Sequence, residues 1–269
     1  MPELPEVEAV CRKLRSESAG ARVITMRFLR PNVIAPQNAR EVESELAGAH
    51  LQSVDRRGKN ILLRFSADRT LHVHLRMTGN LYVIADVRFR PASTRAWFEL
   101  DDGRGIIFDD PRNLGRMRLY RSAELDAALG KLGVEPLSAE FSPAFFHTAA
   151  SRSRLPAKLF LMDQRYVAGL GNIYAAEALF RAGIHPGRII SGLRRPKLLA
   201  LHHAIVEVLR QAVESAVLAY SKPAGFTEAE SFPCAVYDRE GEPCERCRRK
   251  IKRIAQGGRS TYYCPGCQR

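Results

Sequence analysis

The 269-residue chain contains no apolar run approaching the roughly 20 residues that a membrane-spanning helix requires, so a membrane protein is not expected. Its opening, MPELPEVEAV, lacks the basic stretch and apolar core of a secretory signal, which points to a reducing, cytoplasmic setting. Sequence repeats and low-complexity tracts are absent, which argues against solenoids and disordered tails. No HExxH or comparable open metal site occurs, so a zinc hydrolase is excluded. Heptads are missing too, and a monomer is the default expectation. Acidic residues are scarce: 29 Asp and Glu face 42 Lys and Arg, for a net charge of +13. Such an excess makes nucleic acid the leading partner class. From residue 246 to residue 263 there is no acid at all.

What is present divides the chain. A hydrophobic content of 45% over this length suits two modest cores. Leu4, Val7, Val10, Cys11 and Leu14 recur at helical spacing and predict an amphipathic helix from Glu3 to about Ser18. Between about 22 and 122 the runs VITMRFL, NILLRF, TLHVHLRM, NLYVI, AWFEL, GIIFDD and MRLYR are short, β-rich and separated by Gly, Asp and Asn, which predicts an antiparallel β-sandwich or barrel. Strand signals stop in LGVEPLSAEFSP. Helical periodicity then follows in SPAFFHTAA, PAKLFLMD, NIYAAEALFRAG and the long run RPKLLALHHAIVEVLRQAVESAVLAY. The last residues, from Cys234, are expected to return to short strands around the cysteines. The reading is an α+β chain with a domain over 1–131, a linker over 132–143, a helical domain over 144–233 and a terminal module over 234–269.

Four of the six cysteines form two close pairs, Cys244-x-x-Cys247 and Cys264-x-x-Cys267, with sixteen residues between the pairs. That spacing predicts a four-thiolate ribbon holding one Zn2+, and a site filled by four sulfurs leaves no position for a reactive water, so the ion is structural. Cys11 and Cys234 stand apart. Within the first pair and between the pairs lie Arg246, Arg248, Arg249, Lys250, Lys252, Arg253 and Arg259, a set of cations suited to phosphate contact when carried on a rigid hairpin.

Five segments in order, MPELPEVE, HLRMTG, DPRNLG, DQRYVAGLGNIYAAEALFRAGIHP and the four-cysteine module, resemble the formamidopyrimidine-DNA glycosylase and endonuclease VIII family from end to end. The resemblance implies an N-terminal β-sandwich with flanking helices, a helix-two-turn-helix domain and a zinc finger that clamp double-stranded DNA bearing oxidised bases or abasic sites. It also implies base excision followed by strand cleavage. Pro2, once Met1 is removed, is then the nucleophile, with Glu3 as the acid and Glu6 as a supporting carboxylate. A proline followed by acids equally suits a helix start. A secondary amine with a pKa near about 8 can attack a sugar carbon at neutral pH. By the same resemblance Lys59, His74, Asn172 and Arg259 grip the backbone, and Met77, Arg112 and Leu114 fill the void left by the extruded nucleotide.

Three features depart from the formamidopyrimidine branch. Leu114 stands where Phe is common, Arg76 where Gly is usual, and the stretch from Ser221 to Cys234 is short where 8-oxoguanine-excising members carry a capping loop. The short stretch predicts a wider preference for formamidopyrimidines and hydantoins, extending to oxidised pyrimidines, with 8-oxoguanine weaker. An oxidised-pyrimidine glycosylase of the endonuclease VIII kind and a non-catalytic damage-binding protein are the alternative expectations.

Overall fold

In a computed structural model of the protein, residues 2–220 and 232–269 are described. Contacts divide the chain into two compact units, one reaching from the N-terminus to Lys131 and taking in the end of the last long helix from Ala216, the other beginning at Leu132 and including the C-terminal segment. Antiparallel sheets and helices occupy separate stretches of the chain, an α+β organisation.

The first unit begins with α1 (Leu4–Ser18), which lies against the sheet strand β2 (Leu51–Arg57). Its apolar stripe is fully buried at Leu4, Val7, Val10, Cys11 and Leu14, as the helical spacing predicts. One four-stranded antiparallel sheet contains β1 (Val23–Phe28), β6 (Thr94–Leu100), β7 (Gly105–Asp109) and β5 (Asn80–Ile84) in that order. The other contains β2, β3 (Asn60–Phe65), β4 (Arg69–His74) and β8 (Arg116–Tyr120). Both sheets feed one core: Met26, Phe98 and Ile106 from the first share it with Val54, Leu63 and Val73 from the second. Phe65 and Phe98 stack across the layers with ring centroids 6.4 Å apart. In β6 burial alternates residue by residue, the period-two signature of a strand with one face in the core. The expected sandwich is thus present.

Three elements lie outside the predicted pattern. Helix α2 (Ala39–Leu46) sits inside the stretch read as all strand; only Val42 and Leu46 of its eight residues are buried, too few for a periodic signal. Strand β2 buries Leu51 and Val54 and otherwise carries polar and charged residues, of which Arg56 binds Glu8 of α1. Helix α3 (Ser122–Leu129) follows β8 where no helix was read.

The second unit contains α4 (Pro143–Ser151), α5 (Ala157–Met162), α6 (Asn172–Ala182) and most of α7 (Arg195–Tyr220). Ser142 caps α4 by accepting the Phe145 N–H at 3.1 Å, and Pro143 sits in the first turn. Helix α6 ends on Gly183 at φ +64°, a left-handed cap that glycine adopts without a Cβ penalty. The terminal module has one hairpin, β9 (Lys252–Gln256) with β10 (Arg259–Tyr263), lying between the cysteine pairs. Strands around the pairs were expected; the knuckles themselves are turns.

Candidate functional site

The first unit gathers most of the predicted residues at one end. Helix α1 runs antiparallel to β2, and the crossing contacts give the direction. Arg15 donates to the Val54 carbonyl, Cys11 Sγ to the Asp55 carbonyl at 3.4 Å, and Arg56 Nε to Glu8 Oε2 at 2.8 Å. One further turn brings the helix N-terminus, with Pro2 and Glu3, to the end of β2, where the two-residue turn Gly58–Lys59 leads into β3. Lys59 is only 9% exposed. His74 closes β4 opposite Asn60 and opposite Arg116 on β8, so Lys59, His74 and the loops following β4 and β7 all fall at this end.

Pro2, Glu3 and Glu6 are buried. Glu3 and Glu6 form a reciprocal cap: the Glu3 amide donates to Glu6 Oε2 at 2.7 Å, and the Glu3 side chain accepts from the Glu6 amide. The cap fixes the first turn of α1 and the direction in which the chain leaves it towards Pro2. Glu8 one turn on is held ionised: burial pushes its carboxyl up, but hydrogen bonds from Arg56 and Arg12 outweigh that and leave it below its ordinary value.

His74 is kept neutral. Burial, the Arg76 cation beside it, and His72 and Lys59 push its pKa down to about 4. Its Nδ1 accepts the Arg76 N–H at 3.0 Å, so the single proton resides on Nε2, which makes that nitrogen a donor. His72, also pushed down to about 4, by burial with Arg118 and Arg76, bonds Asn60 Oδ1 through Nε2 at 2.8 Å. Asn60 Nδ2 in turn donates to the Arg57 carbonyl at 2.8 Å and braces the Lys59 turn.

Met77 and Leu114 are exposed apolar side chains, 41% and 37% accessible, and Arg112 is exposed between them in sequence. All three ride on connections that pass from one sheet to the other, β4 to β5 and β7 to β8. Arg76 and Asn113 hold positive φ of 57° and 54°. Arg76 thus adopts a left-handed backbone that glycine takes freely, at a cost on the order of 1 kcal/mol.

The second unit carries Asn172, Arg259 and the cysteines. Asn172 opens α6 after Gly169, at φ +90°, and Gly171. Its Nδ2 donates to the Ser260 carbonyl at 3.1 Å, so the helix start and the Arg259 end of the hairpin are joined. A residue that sequence reasoning passed over completes this joint: Lys158 of α5, fully buried, donates from Nζ to the Ser260 carbonyl at 3.0 Å and to Thr261 Oγ1 at 2.6 Å. Glu177 was also missed; its carboxylate accepts the amides of Ala235, Val236 and Tyr237 at 2.9–3.0 Å and fixes the entry to the terminal module.

The sulfurs of Cys244, Cys247, Cys264 and Cys267 lie within 4.8 Å of one another, with Cys244 to Cys267 at 3.8 Å and Cys247 to Cys264 at 3.4 Å. A tetrahedron of thiolates at the usual zinc distance has edges of about 3.8 Å, so the set fits one structural zinc ion. A Cβ on Gly266 would come within 2.8 Å of Cys247 Sγ, which reserves that position for glycine.

Three family profiles cover the chain: "Formamidopyrimidine-DNA glycosylase N-terminal domain" over residues 1–117, "Formamidopyrimidine-DNA glycosylase H2TH domain" over 132–221 and "Zinc finger found in FPG and IleRS" over 241–269. The formamidopyrimidine-DNA glycosylase of Chloroflexus aggregans is 40% identical over 100% of this chain and 98% of its own length, and that of Streptococcus pneumoniae R6 is 37% identical over 100% and 99%. The fold is similar to that of Lactococcus lactis Fpg solved with FAPY-dG-containing DNA, at TM-score 0.90, 31% identity and 99% coverage of both chains. It is also similar to MutM solved with carbocyclic 8-oxo-G-containing DNA, at TM-score 0.89, 32% identity and full coverage of both. With profiles matching along its length and relatives near 40% identity aligned over the whole of it, the chain belongs to the formamidopyrimidine-DNA glycosylase family.

Proposed function

We propose that this base-excision DNA glycosylase attacks the sugar C1′ of an extruded, oxidised nucleotide with the amine of Pro2 and then cleaves the strand as a lyase. The observation that carries the proposal is the convergence at one end of the sandwich. The start of α1, buried with its Glu3–Glu6 cap, meets the Lys59 turn, and His74 ends the neighbouring strand. In this reading the amine lone pair forms the N–C1′ bond as the base leaves, and Glu3 supplies the proton to the ring oxygen. The resulting iminium is cationic without further protonation and serves as the electron sink for loss of the 3′ and then the 5′ phosphate. Glu6 holds the Glu3 amide and so orients the first turn. Lys59 and the Nε2–H of His74 contact phosphates beside the lesion, and Met77, Arg112 and Leu114 fill the void. From the other unit, Asn172 and Arg259 supply further phosphate contacts, and the amides at the start of α6 favour an anion.

The substrates proposed are formamidopyrimidines and hydantoins, with 8-oxoguanine weaker because the Ser221–Cys234 stretch is short; residues 221–231 of it lie outside the described residues. The relatives' formamidopyrimidine name favours this over the oxidised-pyrimidine alternative. Among the described residues no helix is long and apolar enough to cross a membrane, and the relatives named above are bacterial; we place the enzyme with the nucleoid in the cytoplasm.

The test blocks the amine alone. Protein acetylated at Pro2 is expected to bind lesion-bearing duplex as the free protein does and to leave it uncut; cutting at an undiminished rate would remove Pro2 from the mechanism. Equal excision of 8-oxoguanine opposite cytosine and of guanidinohydantoin would overturn the substrate preference.

A further inference from the structure

The proposed void-filling residues sit on two neighbouring crossovers, residues 75–79 between β4 and β5 and residues 110–115 between β7 and β8. Strand pairs anchor the ends of both crossovers, Asn80 opposite Asp109 and His74 opposite Arg116, but neither crossover is itself part of a strand pair. Between these anchors, among the described residues, one side chain joins the two by hydrogen bonds. Asp110, with no exposed surface, accepts the Thr78 hydroxyl on Oδ1 and the amides of Leu114 and Gly115 on Oδ2, both at 2.7 Å. Thr78 is the residue after Met77, and Leu114 is itself one of the three void fillers.

The surroundings hold Asp110 from the other side. Its amide donates to the Ser93 carbonyl at 3.0 Å, and its carbonyl accepts the Asn113 amide at 3.1 Å and Arg95 Nε at 2.7 Å. Arg95 also reaches the Pro111 carbonyl at 3.0 Å. The loop 110–114 is therefore closed on itself, with Asn113 at positive φ, and among the described residues its hydrogen bond to the Met77 turn runs through the Asp110 carboxylate to Thr78. Three donors converge on it. The Leu114 and Gly115 amides cannot accept but the Thr78 hydroxyl can, so an amide of the same shape could still serve all three with its NH2 turned to Thr78, whereas removing the carboxylate leaves the buried donors without a partner. Gly115 is needed for a reason of space: a Cβ there would lie 2.3 Å from Phe108 Cζ.

We propose that Asp110 is a positioning residue for lesion extrusion, tying the Met77 turn to the Arg112–Leu114 loop so that the three side chains enter the duplex as one unit. The proposal rests on the void-filling reading of those three residues. Asp110 touches neither the sugar nor the amine in this scheme, so its loss acts on extrusion and not on the chemistry at C1′.

The experiment uses full-length, zinc-loaded protein carrying Asp110→Ala, Thr78→Ala, Met77→Ala or Leu114→Ala. The duplex has one guanidinohydantoin next to 2-aminopurine, whose fluorescence rise in stopped flow follows extrusion, and quenched-flow samples give single-turnover excision. Cleavage of a single-stranded abasic oligonucleotide provides the reference, because it needs the amine but has no opposite strand to rebuild. Asp110→Ala is expected to slow both the fluorescence rise and excision roughly ten- to a hundredfold, the effect of leaving buried donors unpaired, while abasic cleavage stays within about twofold. Thr78→Ala, which cuts only the link between crossovers, is expected to slow the same step about three- to tenfold, and it carries the test if Asp110→Ala does not fold. A normal extrusion rate in Asp110→Ala or, failing that variant, in Thr78→Ala overturns the proposal. So does an equal loss of abasic cleavage, which would make the carboxylate a general fold determinant. If Met77→Ala and Leu114→Ala both extrude at the wild-type rate, the void-filling reading fails and the positioning role with it. If they are slow and Asp110→Ala is not, only the positioning role fails.

Discussion

Replacing Lys158 by Met keeps the length and most of the packing of the stem and removes the ammonium. The ammonium makes two hydrogen bonds to the hairpin, at 3.0 Å to the Ser260 carbonyl and 2.6 Å to Thr261 Oγ1. Bonds from a charged donor contribute roughly 1.5–3 kcal/mol each, and burying an ammonium costs several kcal/mol. The Ser260 carbonyl keeps the Asn172 donor, and Thr261 Oγ1 loses its Lys158 donor but keeps one hydrogen bond, donated to Gln256 at 3.3 Å. The net loss is therefore about 1–3 kcal/mol, a fall in melting temperature of about 3–8 °C for the unit concerned. The functional consequence is larger than the thermal one if the hairpin loses its place relative to α6, since Arg259 and Asn172 then no longer present donors together. Fluorescence anisotropy with an abasic-analogue duplex, repeated across a salt series, separates this from a lost phosphate contact. Lys158→Met is expected to weaken binding several-fold with an unchanged salt slope, whereas Arg259→Ala lowers the slope by about one. Unchanged affinity and melting in Lys158→Met would refute the argument that this buried cation fixes the hairpin.

Further outcomes follow from the same geometry. Arg76→Gly relieves a left-handed backbone at φ +57° and is expected to stabilise the first unit by up to about 1 kcal/mol, read as a higher urea midpoint. Removing zinc with a strong chelator should abolish DNA binding, as the knuckles lose their common centre, while the far-ultraviolet signal of the sandwich persists. His72 and His74 have folded pKa values of about 4 against 6.5 when free, so the unfolded chain binds more protons between those values. The stability they contribute is present above pH 6.5 and is lost as the pH falls towards 4. His72→Asn should flatten the dependence of the urea midpoint on pH over that window.

Much of the site was legible because its signals are local. The cysteine spacing defines a tetrahedral sulfur cage without reference to the rest of the fold, and Ser142, Pro143 and Gly183 mark helix ends through short-range geometry. Pro2, Glu3 and Lys59 were nameable from sequence motifs, but their proximity depends on α1 lying antiparallel to β2. That in turn depends on Glu8 meeting Arg56 across 48 positions. β2 was missed for the same reason: its charged residues pair with another element, so it lacks the alternation of a half-buried strand. Asp110 and Lys158 stand in quoted segments, but neither was singled out. Their importance comes from complete burial and from partners on other segments, which no spacing along the chain encodes.

The central claim is that the Pro2 nitrogen forms a bond to the damaged sugar. Protein from which Met1 has been removed is incubated with a duplex containing one guanidinohydantoin in the presence of borohydride, which reduces an iminium to a stable amine, and the product is digested and mapped by mass spectrometry. The account predicts a covalent adduct on the N-terminal peptide, localised to Pro2. An adduct on Lys59 or another lysine, or excision and strand cleavage without any trapped species, would contradict it.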